Sequence, residues 1–424
     1  MVKTVGQSLP ILIVGVGAVL VLLWTLSVFD ALPTAFSVRK MMMSKEQEGA
    51  AMPDCAGVAP GYDPVNQTFY DDRNLTYMVG SPVENWDEKR REWLKHHPSF
   101  ARGMENRIFM LTGSQPLVCD NPRGDHLILR MFKNKVDYCR IHGYDIFYNN
   151  AFLHPQMGNW WAKVPAVRAM MMTHPDVEWI FWIDADAIFT DMDFKLPLEK
   201  YKDHNMVVDG WPLMITQEKK WFGLNAGVFL IRNCQWSMEF LEAWAEMGPQ
   251  TPNYENWGKI MMETLSGKTE PISDDQSAIV YLILKDKKWA SKIYIETQYE
   301  FSGYWKEIVN LFDKIVDNYS RIEKTMELRR RHAEKVSEHT AELTTEVFRK
   351  EGGGERAMMR PFTTHFTGCN LCTGQQSMEE ECRIGMEKAL NFADNQVLRN
   401  YGFVRPNLLN SSSLRPLASG YSSY

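Results

Sequence analysis

The chain has 424 residues, of which 45% are hydrophobic, so it can bury one large core or two modest ones. Its formal net charge is -6, and its 47 basic residues are scattered among 53 acidic ones. This pattern excludes a field that would steer nucleic acid, so neither nucleic acid nor another polyanion is expected as a partner.

The first predicted element is a charge-free stretch at 9–29, which is long enough to cross a bilayer as a helix. A cleaved signal peptide has a shorter apolar stretch and a small-residue cleavage site, and neither is clear here. We interpret the stretch as an uncleaved anchor behind a cytosolic tail, 1–8. Residues 30–84 lack apolar periodicity and are rich in Pro, Gly, Asp and Asn, which predicts a stem.

The signals for membrane orientation disagree. Only Lys3 precedes the predicted span whereas three basic residues follow it closely, which opposes a lumenal body under the positive-inside rule. A cysteine cluster near the C-terminus suits an oxidising lumen. Glycosylation acceptor motifs begin at Asn66, Asn74, Asn318 and Asn410. We favour a single-pass type II membrane glycoprotein with a lumenal body.

Beyond the stem, apolar strands alternate with amphipathic helices, which predicts an α/β fold with a parallel or mixed sheet flanked by helices. The predicted strands are 107–111, 144–148, 178–183, 205–208 and 228–231. The predicted helices are 86–97, 124–142, a helix around 160–171, and 235–247. Ligands of such sheets bind at the carboxyl ends of strands, where Ser114 and Asp184 lie.

Asp184 and Asp186 directly follow a predicted buried strand and lie two residues apart, so they point to the same side in extended backbone. Carboxylates at the mouth of a buried strand carry a desolvation cost unless they are paired or bind a metal. A divalent cation held there could neutralise the diphosphate of a sugar donor. The alternative is a pair of solvated loop acids, because Asp-x-Asp alone is common.

A third acidic motif, Asp274-Asp275-Gln276, opens a predicted helix. Asp274 suits the N-cap position, which is its structural alternative to a functional role. Asp275 and Gln276 would then occupy the first turn, from which a carboxylate and an amide can face a bound sugar.

His365 lies in a strand-like segment, four residues before Cys369 and seven before Cys372. Together with Cys382 these residues could form a zinc site. An oxidising compartment favours disulfides, so we prefer pairing among the cysteines with His365 as a free ligand. A histidine satisfied within the core is an equally common alternative.

The segment 319–347 is strongly charged yet keeps apolar residues at spacings of three and four, which is a heptad pattern. We favour one amphipathic helix on the body over a self-associating coiled coil. Residues 406–424 are predicted to form a flexible C-terminal tail.

Taken together, residues 85–403 resemble glycosyltransferase family 34, most closely its plant xylosyltransferase branch. The resemblance rests on ordered matches to NWDEKRREWL, LTGSQPLVCDNPRGDH, NKVDYCRIHGYDIFYN, WAKVPAVR, DADAIFTDMDFKLPLEKYKDHNMVV, GLNAGVFLIRNCQWS, DDQSAIVYL, GYW, THFTGC and NFADNQVL. Ordered matches on this scale are more specific than any single motif.

The resemblance implies a GT-A type nucleotide-sugar-binding fold over 85–405, a UDP-sugar donor, Mn2+ and transfer with retention. The metal ligands that it implies are Asp184, Asp186 and His365. The donor-binding residues that it implies are Thr112, Gly113, Ser114, Lys163, Asp184, Asn225 and Asn370. It places Asp274, Asp275 and Gln276 at the reacting sugar, as candidate catalytic residues.

The chain departs from the xylosyltransferase pattern at three positions, where Asn370 replaces a lysine, Ser302 a histidine and Ala226 a threonine. We expect transfer of xylose, slightly preferred, or galactose from a UDP-sugar to a polysaccharide or glycan at the Golgi membrane. The alternative, motivated by Asn370, Ser302 and the heptad segment, is a catalytically weak homologue that scaffolds a glycosyltransferase complex. Association with itself or with other glycosyltransferases stays open in either case.

Overall fold

The computed structural model of the chain describes residues 68–120, 122–322, 359–370, 372 and 376–417. The predicted tail 1–8, the anchor 9–29 and most of the stem lie outside these residues, as does most of the heptad segment 319–347. Within the described ranges, no helix has both the length and the apolar character needed to cross a membrane.

Helices and strands follow the predicted alternation closely. The strands are β1 Ile108–Gly113, β2 Asp145–Asn149, β3 Trp179–Ile183, β4 Ala187–Phe189, β5 Met206–Gly210, β6 Leu224–Arg232, β7 Ile293–Glu296, β8 Gly303–Tyr304, β9 Thr363–His365, β10 Phe403–Val404 and β11 Arg415–Pro416. The helices are α1 Trp86–His96, α2 Pro98–Ala101, α3 Pro122–His142, α4 Lys163–Thr173, α5 Pro212–Thr216, α6 Gln235–Ala245, α7 Tyr254–Thr264, α8 Asp275–Lys285, α9 Lys287–Ala290, α10 Trp305–Ile308, α11 Phe312–Ile322 and α12 Gln376–Asn400.

The main sheet has the strand order β2-β1-β3-β6-β5-β7. Strands β1, β2 and β3 pair in parallel, β6 is antiparallel to both β3 and β5, and β7 is parallel to β5. Five strands therefore run in one direction and bring their carboxyl ends to the same edge. This is the mixed α/β sheet that the sequence predicts.

Both faces of the main sheet are buried, which explains the near-continuous apolar runs of its strands. In β3, Ile180 and Trp182 face a core that also contains residues of α4, α6 and α8. Phe181 and Ile183 face the opposite core, which contains residues of α3 and α12. The sheet edge that follows β3 is thus held rigidly from both sides.

A small second sheet, β4-β9-β8, carries the later part of the chain back to this edge. Its register pairs Ala187 with His365, and the Phe366 amide donates to the Asp186 carbonyl at 3.1 Å. This pairing places His365 beside the Asp184–Asp186 turn.

Two disulfides link four of the six described cysteines: Cys369 with Cys382, and Cys119 with Cys372. The preference for disulfides over a zinc site is therefore confirmed, because all three cysteines of that candidate site are paired. The cluster does not pair only within itself, since Cys372 bonds to Cys119 in the loop after β1. This bond ties that loop to the segment that follows His365.

Replacing Cys119 and Cys372 together with serine is expected to lower the free energy of unfolding by about 2–4 kcal/mol, because the bond restricts the unfolded chain. Chemical denaturation of the oxidised protein measures this change. Cys234→Ser is the matched control, since Cys234 is a free thiol. Equal stability of the double variant and the control would show that the bond does not form.

The folded body extends past both predicted boundaries. Val79 and Val83, in the predicted stem, are buried, and the Tyr70 hydroxyl donates to the Met172 carbonyl. In the predicted flexible tail, Leu408 is buried and β11 pairs with β10. The boundaries at 84 and 405 are therefore corrected to include at least 68–84 and 406–417.

Candidate functional site

Strand pairing at the end of β3 fixes the position of Asp184 and Asp186. The Asp184 amide donates to the Gly227 carbonyl at 2.8 Å, and the Trp182 indole donates to Asp184 Oδ1 at 2.6 Å. Below the turn, the buried Lys135 ammonium donates to the carbonyls of residues 185 and 187, at 3.0 and 2.8 Å. Hydrogen bonds to the backbone of the turn and to the Asp184 carboxylate thus hold the two aspartates in place.

His365 completes a group of three ligand side chains. Its Nε2 lies 3.2 Å from Asp186 Oδ1 and 3.9 Å from Asp184 Oδ2. One ligand atom from each of the three residues lies within 4.8 Å of the others. Two carboxylates and one imidazole therefore converge at the carboxyl edge of the sheet.

Ser302 orients the His365 ring. The Ser302 hydroxyl donates to Asn225 Oδ1 at 2.9 Å and lies 3.0 Å from His365 Nδ1. Because a hydroxyl has one hydrogen to donate, Ser302 accepts from Nδ1–H, and this tautomer leaves the Nε2 lone pair for a metal. Ser302, which stands where the xylosyltransferase pattern has a histidine, therefore supplies a partner for the metal-facing imidazole.

The three residues fit a divalent cation in both chemistry and space. Carboxylates bind hard cations such as Mn2+, and imidazole is a common ligand of transition metals. A Cβ at Gly227 would overlap the His365 ring and lie 2.7 Å from Asp184 Oδ2. The absence of a side chain at Gly227 therefore leaves the ligand atoms room to converge.

Gly227→Ala is expected to weaken Mn2+ binding about a hundredfold, because the added methyl group displaces His365 or Asp184. Isothermal titration with Mn2+ measures this loss. Gly267→Ala is a surface control, where a Cβ would meet only ring atoms at 3.6 Å or more, although its positive φ adds strain. Wild-type metal affinity in Gly227→Ala would contradict the assigned ligand set.

A buried ion-pair network connects the metal candidates to α8. Lys163 Nζ lies 2.6 Å from Asp275 Oδ2 and 3.3 Å from Asp184 Oδ1, and it donates to the Ala226 carbonyl at 3.0 Å. Lys163 is therefore shared between a candidate metal ligand and a candidate catalytic carboxylate.

The pKa values of these groups reflect burial and close charges. Burial alone would lower the pKa of Lys163, but Asp184 and Asp275 outweigh it and raise this pKa. Burial raises the pKa of Asp275 to about 6, although Lys163 acts in the opposite direction. Desolvation opposes ionisation of Asp186, yet His365 lowers its pKa overall. The site therefore concentrates opposite charges that compensate one another.

The residues of the Asp274-Asp275-Gln276 motif have separate roles. Asp274 caps α8 by accepting from the Ser277 amide at 2.7 Å, and its other oxygen pairs with Lys268 at 2.5 Å. The N-cap position predicted as the structural alternative for Asp274 is therefore confirmed. Asp275 joins the Lys163 network, and Gln276 Oε1 accepts from the Ala226 amide at 3.4 Å.

A cleft of about 310 Å³ opens beside the two carboxylates. Its lining includes the predicted donor residues Gly113, Ser114, Lys163 and Asp184, together with Asp186. The sequence did not single out several further lining residues, which are Gln115, Asn149, Phe152, Asn159, Trp160 and Trp182. The cleft thus reaches from the end of β1 to the candidate metal ligands.

Three of the predicted donor-binding residues are described by the structure but are not part of the lining of this cleft. Thr112 is fully buried in β1, and Asn370 is an exposed residue after Cys369. Asn225 lies behind His365, where it holds Ser302 and accepts from the Gly227 amide at 2.9 Å. Its position is therefore that of a support for the metal candidates.

Fold and site together define an α/β protein with a candidate divalent-cation centre at the carboxyl edge of a mixed sheet. Residues 104–376 match the galactosyl transferase GMA12/MNN10 family. The chain therefore belongs to this family, glycosyltransferase family 34, and is a glycosyltransferase.

Two relatives illustrate the similarity. The chain is 55% identical to galactomannan galactosyltransferase 1 of Cyamopsis tetragonoloba, over 85% of this chain and 82% of the relative. It is 42% identical to probable xyloglucan 6-xylosyltransferase 3 of Arabidopsis thaliana, over 80% and 68%. A solved glycosyltransferase involved in glycosylation of the PBCV-1 major capsid aligns at a TM-score of 0.36 and 11% identity, over 65% of this chain and 98% of that one.

Proposed function

We propose that the chain is a retaining, Mn2+-dependent transferase that moves galactose from UDP-galactose to the backbone of a mannan-type polysaccharide. The observation that carries this proposal is the convergence of Asp184, Asp186 and His365 beside the cleft in a member of this family. Identity of 55% to a galactosyltransferase against 42% to a xylosyltransferase favours galactose over the xylose preferred from sequence motifs.

Different residues at the cleft would bind the nucleotide and the cation. Gly113 and Ser114 line the cleft at the end of β1 and would contact the nucleotide. Asp184, Asp186 and His365 would hold the cation. When bound, the cation would act as a Lewis acid on the diphosphate. Lys163 lines the cleft and holds the buried Asp275 behind it through their 2.6 Å contact, so Asp275 would act next to the bound sugar.

We place the protein in the Golgi membrane as a single-pass type II protein, anchored by 9–29 with the body in the lumen. The two disulfides are compatible with an oxidising compartment. Sensitivity of the native protein to an endoglycosidase tests this placement. Unmodified acceptor motifs together with a body accessible from the cytosol would overturn it.

A donor panel on the purified full chain tests the activity. UDP-galactose, UDP-xylose and UDP-glucose are each supplied with Mn2+ and either mannohexaose or cellohexaose. We expect galactosylated mannohexaose as the main product. Xylosylated cellohexaose as the main product would favour the hypothesis of a xylosyltransferase. Absence of transfer from every donor would contradict the proposed transferase activity.

A UDP-binding measurement on the same purified chain addresses the scaffolding alternative. One of its grounds was Ser302, but Ser302 contacts His365 directly and supports the site. Its other grounds were Asn370, which is exposed, and the heptad segment, most of which lies outside the described residues. A wild-type chain that binds no UDP would be the result that favours scaffolding.

A further inference from the structure

A group of aromatic side chains lies beside the carboxyl end of β5, apart from the described lining of the cleft. Trp211, the residue after β5, is 51% exposed, and Phe222, two residues before β6, is 42% exposed. The Trp221 ring packs edge-on against Phe222, with centroids 5.7 Å apart. These three residues, Trp211, Trp221 and Phe222, are termed the aromatic platform.

The strand order places the platform on the side of Asp184 that faces away from β1 and β2. Strands β2 and β1 end at the cleft residues Asn149 and Gly113, and Asp184 directly follows β3. Across β6, strand β5 runs in the same direction as β3, so Trp211 leaves the sheet at the same edge. Two strand spacings separate β5 from β3, which is about 10 Å. The cleft lies on the β1–β2 side of Asp184 and the platform lies on the β5 side, so a polymer chain that contacts the platform leaves the cleft free for the nucleotide.

Hydrogen bonds and an ion pair fix the platform to the site. The Trp211 amide donates to the Gly223 carbonyl at 2.8 Å, which joins the ends of β5 and β6. Lys268 Nζ lies 5.3 Å from the Trp221 ring centroid and 2.5 Å from Asp274 Oδ2. Because Asp274 caps the helix that begins at Asp275, the platform is anchored to the element that carries the candidate catalytic carboxylate.

We propose that the aromatic platform binds backbone sugars of an extended acceptor polysaccharide, beyond the sugar that is modified. A pyranose ring presents a face of C–H bonds, and an aromatic ring offers it a flat apolar surface with a negative face. Large exposed rings that are held rigidly and adjoin a site are typical of a binding surface. This inference rests on the proposed function, since it identifies how the same site selects a polymeric acceptor.

Kinetics with short and long acceptors test the proposal on the purified full chain with UDP-galactose and Mn2+. Trp211→Ala is expected to raise the KM for mannohexaose about tenfold while the KM for mannotriose changes less, because the longer chain alone spans the platform. Trp211→Phe is expected to recover most of the affinity, and Phe222→Ala to reproduce the defect. Phe403→Ala, an exposed aromatic residue in the β10–β11 hairpin, is the matched control and is expected to behave as wild type.

Isothermal titration with mannohexaose in the absence of donor separates this inference from the proposed function. Binding by wild type that weakens in Trp211→Ala supports the platform even if no galactose is transferred. Galactosyl transfer by wild type with equal KM and affinity in Trp211→Ala would overturn the platform and leave the proposed function standing. A wild-type chain that neither binds nor modifies mannohexaose would overturn both.

Discussion

Asp186→Asn is expected to lower kcat for galactosyl transfer about a thousandfold, because a bound cation contributes several kcal/mol of charge stabilisation at the diphosphate. The substitution keeps the shape of the side chain but removes the charge that faces His365 at 3.2 Å. The turn itself should persist, because Lys135 and Phe366 bond to its backbone. Initial rates at saturating UDP-galactose and Mn2+ measure the effect.

The matched control is Asp145→Asn, which removes an exposed carboxylate at the amino end of β2, away from the carboxyl edge. Its rate should equal that of wild type. Circular dichroism of Asp186→Asn should match wild type, which separates lost chemistry from lost folding. A rate within tenfold of wild type in Asp186→Asn would show that this carboxylate is not needed for transfer.

Lys163→Met is expected to lower the free energy of unfolding by about 3–5 kcal/mol, because removing one partner of a buried ion pair leaves its charge uncompensated. The Lys163 side chain is 3% exposed and contacts Asp184 and Asp275. Urea denaturation of the metal-free protein measures the change.

A double variant distinguishes this electrostatic cause from lost packing. Lys163→Met with Asp275→Asn removes the unpaired charge as well, so it should be more stable than Lys163→Met alone. Lys288→Met is the control, because its pairing with Glu239 is solvent-exposed and should contribute about 1 kcal/mol or less. A double variant no more stable than the single one would reject the electrostatic explanation.

The order of strands and helices could be predicted because each buried element leaves a local pattern in the sequence. The run before Asp184 is apolar throughout because both faces of β3 are covered, and that run also predicted a site at its end. The N-cap role of Asp274 followed from its place before a helical pattern. Local physics governs all of these features.

Features that depend on distant pairing could not be derived locally. His365 reaches Asp186 through the β4–β9 register, so the residues alone left it open as a core histidine. The Lys163–Asp275 contact joins two helices far apart in the chain, and Cys119 gave no sign that it would pair with Cys372. Only the family resemblance suggested that His365 binds the same metal as Asp184 and Asp186.

The most direct test of the central claim is Mn2+ binding followed by electron paramagnetic resonance on the purified full chain. We predict one bound Mn2+ per chain in wild type, and loss of that site in both Asp186→Asn and His365→Ala. Absence of binding by wild type in the presence of UDP, or binding retained by both variants, would contradict a cation centre formed by Asp184, Asp186 and His365.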